Sequence, residues 1–299
     1  MEQIKVKAKR DTSCSGCEHA KPGGGCGLAK DAPDALQAAV KHNLARIRHK
    51  LLVLSGKGGV GKSTVAVNLA AGLARRGLKV GLLDADLHGP SIPGMLGLSG
   101  SVAVAKDSIV RPLLCLVGPE PAEPLRVVSI DFFLKDRDEA VIWRGPMKIG
   151  AIRQFLGQVC WGDLDYLVVD SPPGTGDEPL TVAQAIPGAR AVVVTTPQKV
   201  SVADVRKSIT FCRAVGLEVA GVIENMSGLR CPHCRGEIDL FKKGGGERMA
   251  AEMGVPFLGR LPIDPAIVDA CDDGRPMVAA DGEAARAIGA IIEKLAGAS

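Results

Sequence analysis

Residues 56–63 read Gly-Lys-Gly-Gly-Val-Gly-Lys-Ser, and Thr64 follows. Every fixed position of the phosphate-loop pattern G-x-x-x-x-G-K-[ST] is filled, with the apolar run Leu51–Leu54 before it and the helix-prone stretch Lys62–Arg76 after it. Backbone N–H groups that turn together toward one anion leave no room for a Cβ and need unusual backbone angles, which Gly58, Gly59 and Gly61 permit. A helix beginning at Lys62 aims its positive end at the same anion. The Lys62 ammonium then reaches the β and γ phosphates, and the Ser63 hydroxyl is placed to ligate Mg²⁺. Gly56, Lys57, Gly58, Gly59, Val60, Gly61, Lys62, Ser63 and Thr64 are therefore assigned to ATP.

Two acidic segments complete such a site. Asp84-Ala-Asp86 follows the apolar run at 80–83, and Asp170-Ser-Pro-Pro-Gly174 follows the run at 166–169. A carboxylate at a strand end beside a phosphate loop is suited to hold Mg²⁺ through water, which is the role expected of Asp170. Asp86 lies further into its loop than Asp84 and is expected to position the attacking water. The turn Pro172-Pro173-Gly174 can bring backbone amides near the γ-phosphate. Lys57 lies too early in the loop to duplicate Lys62, so its expected task is to reach a partner's nucleotide across a dimer interface, as an arginine finger does.

The nine cysteines fall into two kinds. Cys115, Cys160, Cys212 and Cys271 stand alone among apolar or helical residues, where a cysteine acts as a small buried hydrophobe. Cys231-Pro-His-Cys234 instead lets two thiolates converge on one metal. A zinc ion or a [4Fe–4S] cluster needs four ligands, and the economical source of the other two is the same pair in a two-fold related copy. His233 is set aside, because adjacent positions rarely point at one centre, and spacing alone does not separate zinc from iron–sulfur. Cys14, Cys17 and Cys26 supply three thiolates for a second centre, with the fourth ligand unaccounted for.

Positioning these groups requires a sheet. With 46% hydrophobic residues but only 3% aromatics, the core must be built from Val, Leu, Ile and Ala, as in strands covered on both faces. Apolar runs at 51–54, 80–83, 127–130, 166–169, 191–195 and 219–223, with a seventh at 257–261, alternate with helical stretches. The expectation is an α/β fold: a doubly wound, mostly parallel sheet of the P-loop NTPase kind, with ligands at the carboxyl ends of its strands. Residues 1–35 read as a flexible, cysteine-containing extension that orders on binding metal, and 36–299 as one NTPase domain carrying the CxxC loop. Asp34 is expected to cap a helix over 35–48. Segment 119–124 reads as a proline-rich loop and 227–246 as an exposed one. A net charge of +4, dispersed along the chain, gives no reason to expect nucleic acid, and the absence of a long apolar segment excludes a membrane span and points to the cytoplasm.

Taken together, Ser55-Gly-Lys-Gly-Gly-Val-Gly-Lys-Ser-Thr64, Leu83-Asp-Ala-Asp-Leu-His-Gly-Pro-Ser91, Asp170-Ser-Pro-Pro-Gly-Thr-Gly-Asp177, Thr195-Thr-Pro-Gln198 and Glu224-Asn-Met-Ser227 ahead of the CxxC carry a resemblance. Over roughly residues 45–295 the chain resembles the Mrp/Nbp35 (ApbC-like) iron–sulfur cluster carrier ATPases. These belong to the deviant Walker A class that includes MinD, ParA and nitrogenase iron protein. The resemblance implies a homodimeric ATPase that assembles or carries a [4Fe–4S] cluster and passes it to apoproteins, with Cys231 and Cys234 as bridging ligands. It also implies that Asn225 contacts adenine, that Lys57 is the signature lysine and that Asp86 is the hydrolytic aspartate. Cys14, Cys17 and Cys26 resemble the tail of the Nbp35 branch, which carries four cysteines; here one is missing and the last spacing is longer. The alternatives are a ParA/MinD-like positioning ATPase on DNA or membrane, a zinc-bridged dimeric NTPase, and an electron donor like nitrogenase iron protein. The alanine-rich stretch 283–299, with Arg286 and Lys294 as its only bases, does not look like a membrane anchor.

Overall fold

The computed structural model describes residues 8–10, 33–86, 89–100, 102, 110–117, 123–133, 145–231, 233–234, 236–279 and 282–297. Its elements, in chain order, begin with β1 (Ala8–Arg10), α1 (Pro33–Ala45), β2 (Ile47–Ser55), α2 (Lys62–Ala74), β3 (Val80–Asp84), α3 (Ile92–Met95), β4 (Leu113–Cys115) and β5 (Leu125–Val128). A 3₁₀ turn (Ile130–Phe133) precedes α4 (Gly145–Gln158), β6 (Leu164–Asp170), α5 (Asp177–Ala185), β7 (Arg190–Thr195), α6 (Lys199–Ala214) and β8 (Glu218–Glu224). The chain then forms β9 (Leu229–Arg230), β10 (Glu237–Ile238), α7 (Gly245–Glu252), β11 (Phe257–Arg260), α8 (Pro265–Asp272) and α9 (Glu283–Gly297).

Among the described residues nine strands form one sheet in the order β1-β4-β5-β3-β6-β2-β7-β8-β11, and β9 and β10 form a separate hairpin. From β5 to β11 all neighbours run parallel, and β4 runs antiparallel to both β1 and β5. Successive strand side chains point to opposite faces, yet Leu51, Leu52, Val53 and Leu54 are all buried, so helices cover both faces of the sheet. This is the doubly wound α/β fold expected from the apolar runs.

One regularity prepares the functional end. β2, β3, β6, β7 and β8 terminate at Ser55, Asp84, Asp170, Thr195 and Glu224, five polar residues that are each 0% exposed. Register aligns them: Asp84 pairs with Asp170 across β3 and β6, and Thr195 with Glu224 across β7 and β8. Buried polar groups are costly unless partnered, so five of them on one rim define where the chemistry sits.

Boundaries differ from the sequence reading where long-range contacts decide them. α1 starts at Pro33, so Asp34 lies in its first turn instead of capping it. The helix stops at Ala45 because Asn43 gives its side-chain amide to the carbonyls of Leu156, Gly157 and Val159 at the end of α4, and because β2 starts at Ile47. Residues 129–130 leave the strand for the 3₁₀ turn. The strands β1 and β4 at one side of the sheet and the β9–β10 hairpin were not expected. Cys14, Cys17 and Cys26 lie outside the described residues, as do 119–122 of the proline-rich loop.

Candidate functional site

The phosphate loop leaves β2 at Ser55, whose hydroxyl donates to the Lys57 carbonyl at 2.9 Å. Gly59 and Gly61 adopt left-handed φ of 77° and 80°, conformations that side-chain-bearing residues rarely take. Gly61 is also the N-cap of α2, where no side chain caps the helix and no acidic residue stands in the first turn. The first amides of α2 therefore face the loop uncompensated, as an anion-binding helix end requires. A cleft of about 190 Å³ lies here, lined by Lys57, Gly58, Gly59, Gly61, Lys62, Ser63 and Thr64 of the loop and by Asp86, Ser91, Met95 and Pro173.

Lys62 is buried, with its ammonium 2.7 Å from Asp170 Oδ1 and 3.6 Å from Asp86 Oδ2. One cation thus gathers both expected carboxylates, and Asp84 stands beside Asp170 in register. Ser129 donates to Asp84 Oδ2 at 3.1 Å and the Asp86 N–H to Oδ1 at 3.2 Å. Burial first, and Asp170 next, push the Asp84 carboxyl well above the usual carboxylate range. Burial also raises Asp170, opposed chiefly by Lys62. Asp170 Oδ2 is buried with no hydrogen-bond partner among the described residues, while the Ser63 hydroxyl favours the charged form of the same carboxyl. A buried anionic oxygen beside a hydroxyl fits a hydrated divalent cation.

The other expected residues take up positions around this centre. Lys57 is half-buried at the cleft. Pro173 lines the cleft, but the Gly174 N–H donates to the Ser55 carbonyl at 2.8 Å, so in this structure that amide braces the loop root. The Asn225 side-chain amide donates to the Val60 carbonyl at 2.9 Å and sits where a Cβ on Gly61 would be, 2.2 Å away. Asn225 therefore braces the phosphate loop at Val60.

Beyond Asn225 the chain climbs into the β9–β10 hairpin, which carries Cys231 half-buried and Cys234 exposed. The Cys231 N–H donates to the Gly236 carbonyl at 2.9 Å and closes the turn. Backbone N–H groups of Cys234, then His233, face the Cys231 sulfur and lower its pKa, which favours the metal-binding thiolate. Among the described residues no three His, Cys, Asp or Glu groups converge to hold a metal ion. Two thiolates are what this hairpin offers. Burial pushes Cys115 up to about 12 and Cys212 to about 11, as for the inert hydrophobes expected of them, whereas Cys160 and Cys271 are only half-buried.

Three supports were not read from the sequence. Ser129 holds Asp84, and buried Lys148 of α4 pairs with Glu178 in the first turn of α5, steadying the segment that follows Asp170. Glu224 takes hydrogen bonds from Ser227 Oγ, from the Gly244 N–H at 2.8 Å and from the Gly246 N–H. The available signal for Glu224 was a charged residue directly after an apolar strand, as with Asp84 and Asp170.

A parallel sheet with a glycine-cradled helix end, a buried lysine and two strand-end carboxylates defines a P-loop NTPase. Within that class, residues 46–296 match the model of the ParA family described as NUBPL iron-transfer P-loop NTPase, and the chain belongs to that family. It is 49% identical over 259 residues to an iron–sulfur cluster carrier protein of Methanocaldococcus jannaschii, covering 86% of this chain and 87% of that one. It is 49% identical over 263 residues to the cytosolic Fe–S cluster assembly factor NUBP2 of Bos taurus, covering 86% and 96%. Among solved structures it resembles a nucleotide-binding protein of Archaeoglobus fulgidus in complex with ADP, with cobalt found, at a TM-score of 0.69 and 41% identity over 80% of this chain and 91% of that one. The cell division ATPase MinD of Pyrococcus furiosus, at 23% identity and a TM-score of 0.61 over 84% and 99%, shares the fold.

Proposed function

We propose that this protein is an ATP-hydrolysing carrier or scaffold for a [4Fe–4S] cluster, held between two copies of the chain and passed to apo iron–sulfur proteins in the cytosol. The observation that carries the proposal is the pairing, in one chain, of a full set of phosphate-site residues with half a set of metal ligands. Two thiolates from each of two chains make four, the number a cluster needs. The names of the relatives support iron–sulfur over zinc, and the thiolate-favouring turn around Cys231 supports metal binding of either kind.

The nucleotide chemistry follows from the charges. Lys62 rests on Asp170 and Asp86, and a triphosphate in the cleft offers its ammonium a stronger anion. Transfer of Lys62 to the phosphates frees Asp86 to orient water for attack on the γ-phosphorus, giving ADP and phosphate. Mg²⁺, held through Ser63 and Asp170, would neutralise phosphate charge. Lys57 would reach the nucleotide of the second copy, and Asn225, hinged beside the loop, would contact the base. ATP then controls when the cargo is exposed.

A positioning role on membranes finds no support in α9, whose apolar residues Ala284, Ile288, Ile291, Ile292 and Leu295 are buried against the body of the molecule. Among the described residues no helix is long and apolar enough to cross a membrane. The test of the proposal is anaerobic purification with iron, sulfide and zinc analysis, followed by transfer to an apo-ferredoxin. Iron and sulfide in equal amounts, bleached by dithionite and lost in the Cys231→Ser/Cys234→Ser double variant, are expected. Stoichiometric zinc without sulfide would overturn the cluster assignment.

A further inference from the structure

Glu224 is a carboxylate with 0% exposure at the end of β8, and it neither touches the cleft nor belongs to the metal hairpin. An anion in such a place must be surrounded by donors. Ser227 Oγ donates to Oε1 at 2.5 Å, the Gly244 N–H to Oε1 at 2.8 Å, the Gly246 N–H to Oε2 at 2.5 Å, and the Arg260 guanidinium lies 3.5 Å from Oε1. Three chain segments meet on this one side chain: the root of the Cys231 hairpin, the N-terminus of α7 and the end of β11.

The local backbone is bent to reach it. Met226 and Lys242, at φ of 56° and 68°, are the only non-glycine residues with left-handed backbone among the described residues; Met226 directly precedes Ser227 and Lys242 stands two residues before Gly244, and Glu224 holds both Ser227 and Gly244. Such conformations persist only where surrounding contacts enforce them, and they cluster at functional positions. Gly245 and Gly246 allow the approach, since a Cβ would stand 2.5 Å from the Pro197 carbonyl oxygen on the first and 2.8 Å from Thr195 Cγ2 on the second. The next residue in the chain, Asn225, turns the other way and holds the Val60 carbonyl of the phosphate loop at 2.9 Å. From loop carbonyl to hairpin root the connection is therefore two side chains on adjacent residues.

We propose that Glu224 is a positioning residue that sets where the Cys231–Cys234 hairpin stands relative to the phosphate loop, so that filling the loop with nucleotide moves the thiols. The inference rests on the reading that nucleotide binds this loop, and not on the identity of the metal cargo. Glutamine keeps the shape of the side chain but turns an NH₂ donor toward donors, because every partner of Glu224 donates.

The experiment measures iodoacetamide alkylation of Cys231 and Cys234 in the full-length chain, by peptide mass spectrometry, with and without Mg-ADP. A fluorescent ADP analogue reports binding separately. In the unsubstituted protein Mg-ADP is expected to change the alkylation rate at least about fivefold, within the usual range for coupled sites. In Glu224→Gln the ratio falls to about one while the analogue still binds. Ser227→Ala, which removes one donor and leaves the carboxylate, gives an intermediate ratio and carries the test if Glu224→Gln does not fold. A ratio of one in the unsubstituted protein with the analogue bound, or an unchanged ratio in Glu224→Gln or Ser227→Ala, overturns the inference. Failure of the unsubstituted protein to bind the analogue would instead overturn the nucleotide reading on which it rests.

Discussion

Lys62 and the three aspartates around it carry opposite demands, and each can be tested by one substitution. Lys62 offsets the charge of Asp170 in a buried site, so Lys62→Met removes both the phosphate contact and the counter-ion. Hydrolysis should fall at least about 100-fold, and urea denaturation should show a loss of about 3 kcal/mol, as for a buried pair that loses one member. Asp84 behaves in the reverse sense. Its folded pKa stands above the ordinary 3.8, so the folded chain binds that proton more tightly than the unfolded chain does. Its contribution to stability is complete below pH 3.8 and is lost as pH rises through the elevated folded value. Asp84→Asn, neutral and of the same shape, should therefore raise the thermal midpoint of the nucleotide-free protein at pH 7. Its advantage over the unsubstituted chain should shrink as pH is lowered toward 3.8. A midpoint below the unsubstituted value at pH 7 would show that the Ser129 and Asp86 hydrogen bonds to Asp84 outweigh its burial.

At the scale of elements, glycines separate packing from ligand binding. Gly245 has no space for a side chain, since a Cβ would press on the Pro197 carbonyl where α7 docks. Gly245→Ala should cost about 1–3 kcal/mol in urea denaturation. A Cβ on Gly58 would meet nothing within 4 Å, yet Gly58 lines the cleft. Gly58→Ala should leave stability within about 0.5 kcal/mol and weaken nucleotide binding, which isothermal titration would report. The same scale explains how much of the molecule was legible beforehand. β2, β3, β6, β7 and β8 announced themselves because parallel strands buried on both faces are continuous apolar runs, and the loop glycines because few other sequences fill that pattern. β9 and β10 are two residues each and β1 and β4 three, too short for any period to show. The place of Glu224 was hidden for a different reason. Its partners Gly244 and Gly246 lie 20 and 22 residues away in a segment that reads as loop, and only the docking of α7 brings them to it. The contact of Asn225 with Val60 spans 165 residues, and no local signal foretells it.

For the whole molecule, the parallel sheet gathers its buried polar strand ends on one rim, and the cysteine hairpin rises from that same rim just past Glu224 and Asn225. On the proposed reading, two copies of the chain contribute two thiolates each to one shared centre. In that arrangement the cargo is also the fastener: an iron chelator should convert the loaded protein from dimer to monomer in light scattering, and it should leave an unloaded sample unchanged. The most direct measurement is native mass spectrometry of the anaerobically reconstituted chain beside its Cys231→Ser/Cys234→Ser variant. The account predicts a dimer holding about four iron and four sulfide, with the variant free of both. A monomer that carries the full complement of iron, or a variant that retains it, would contradict the shared cluster.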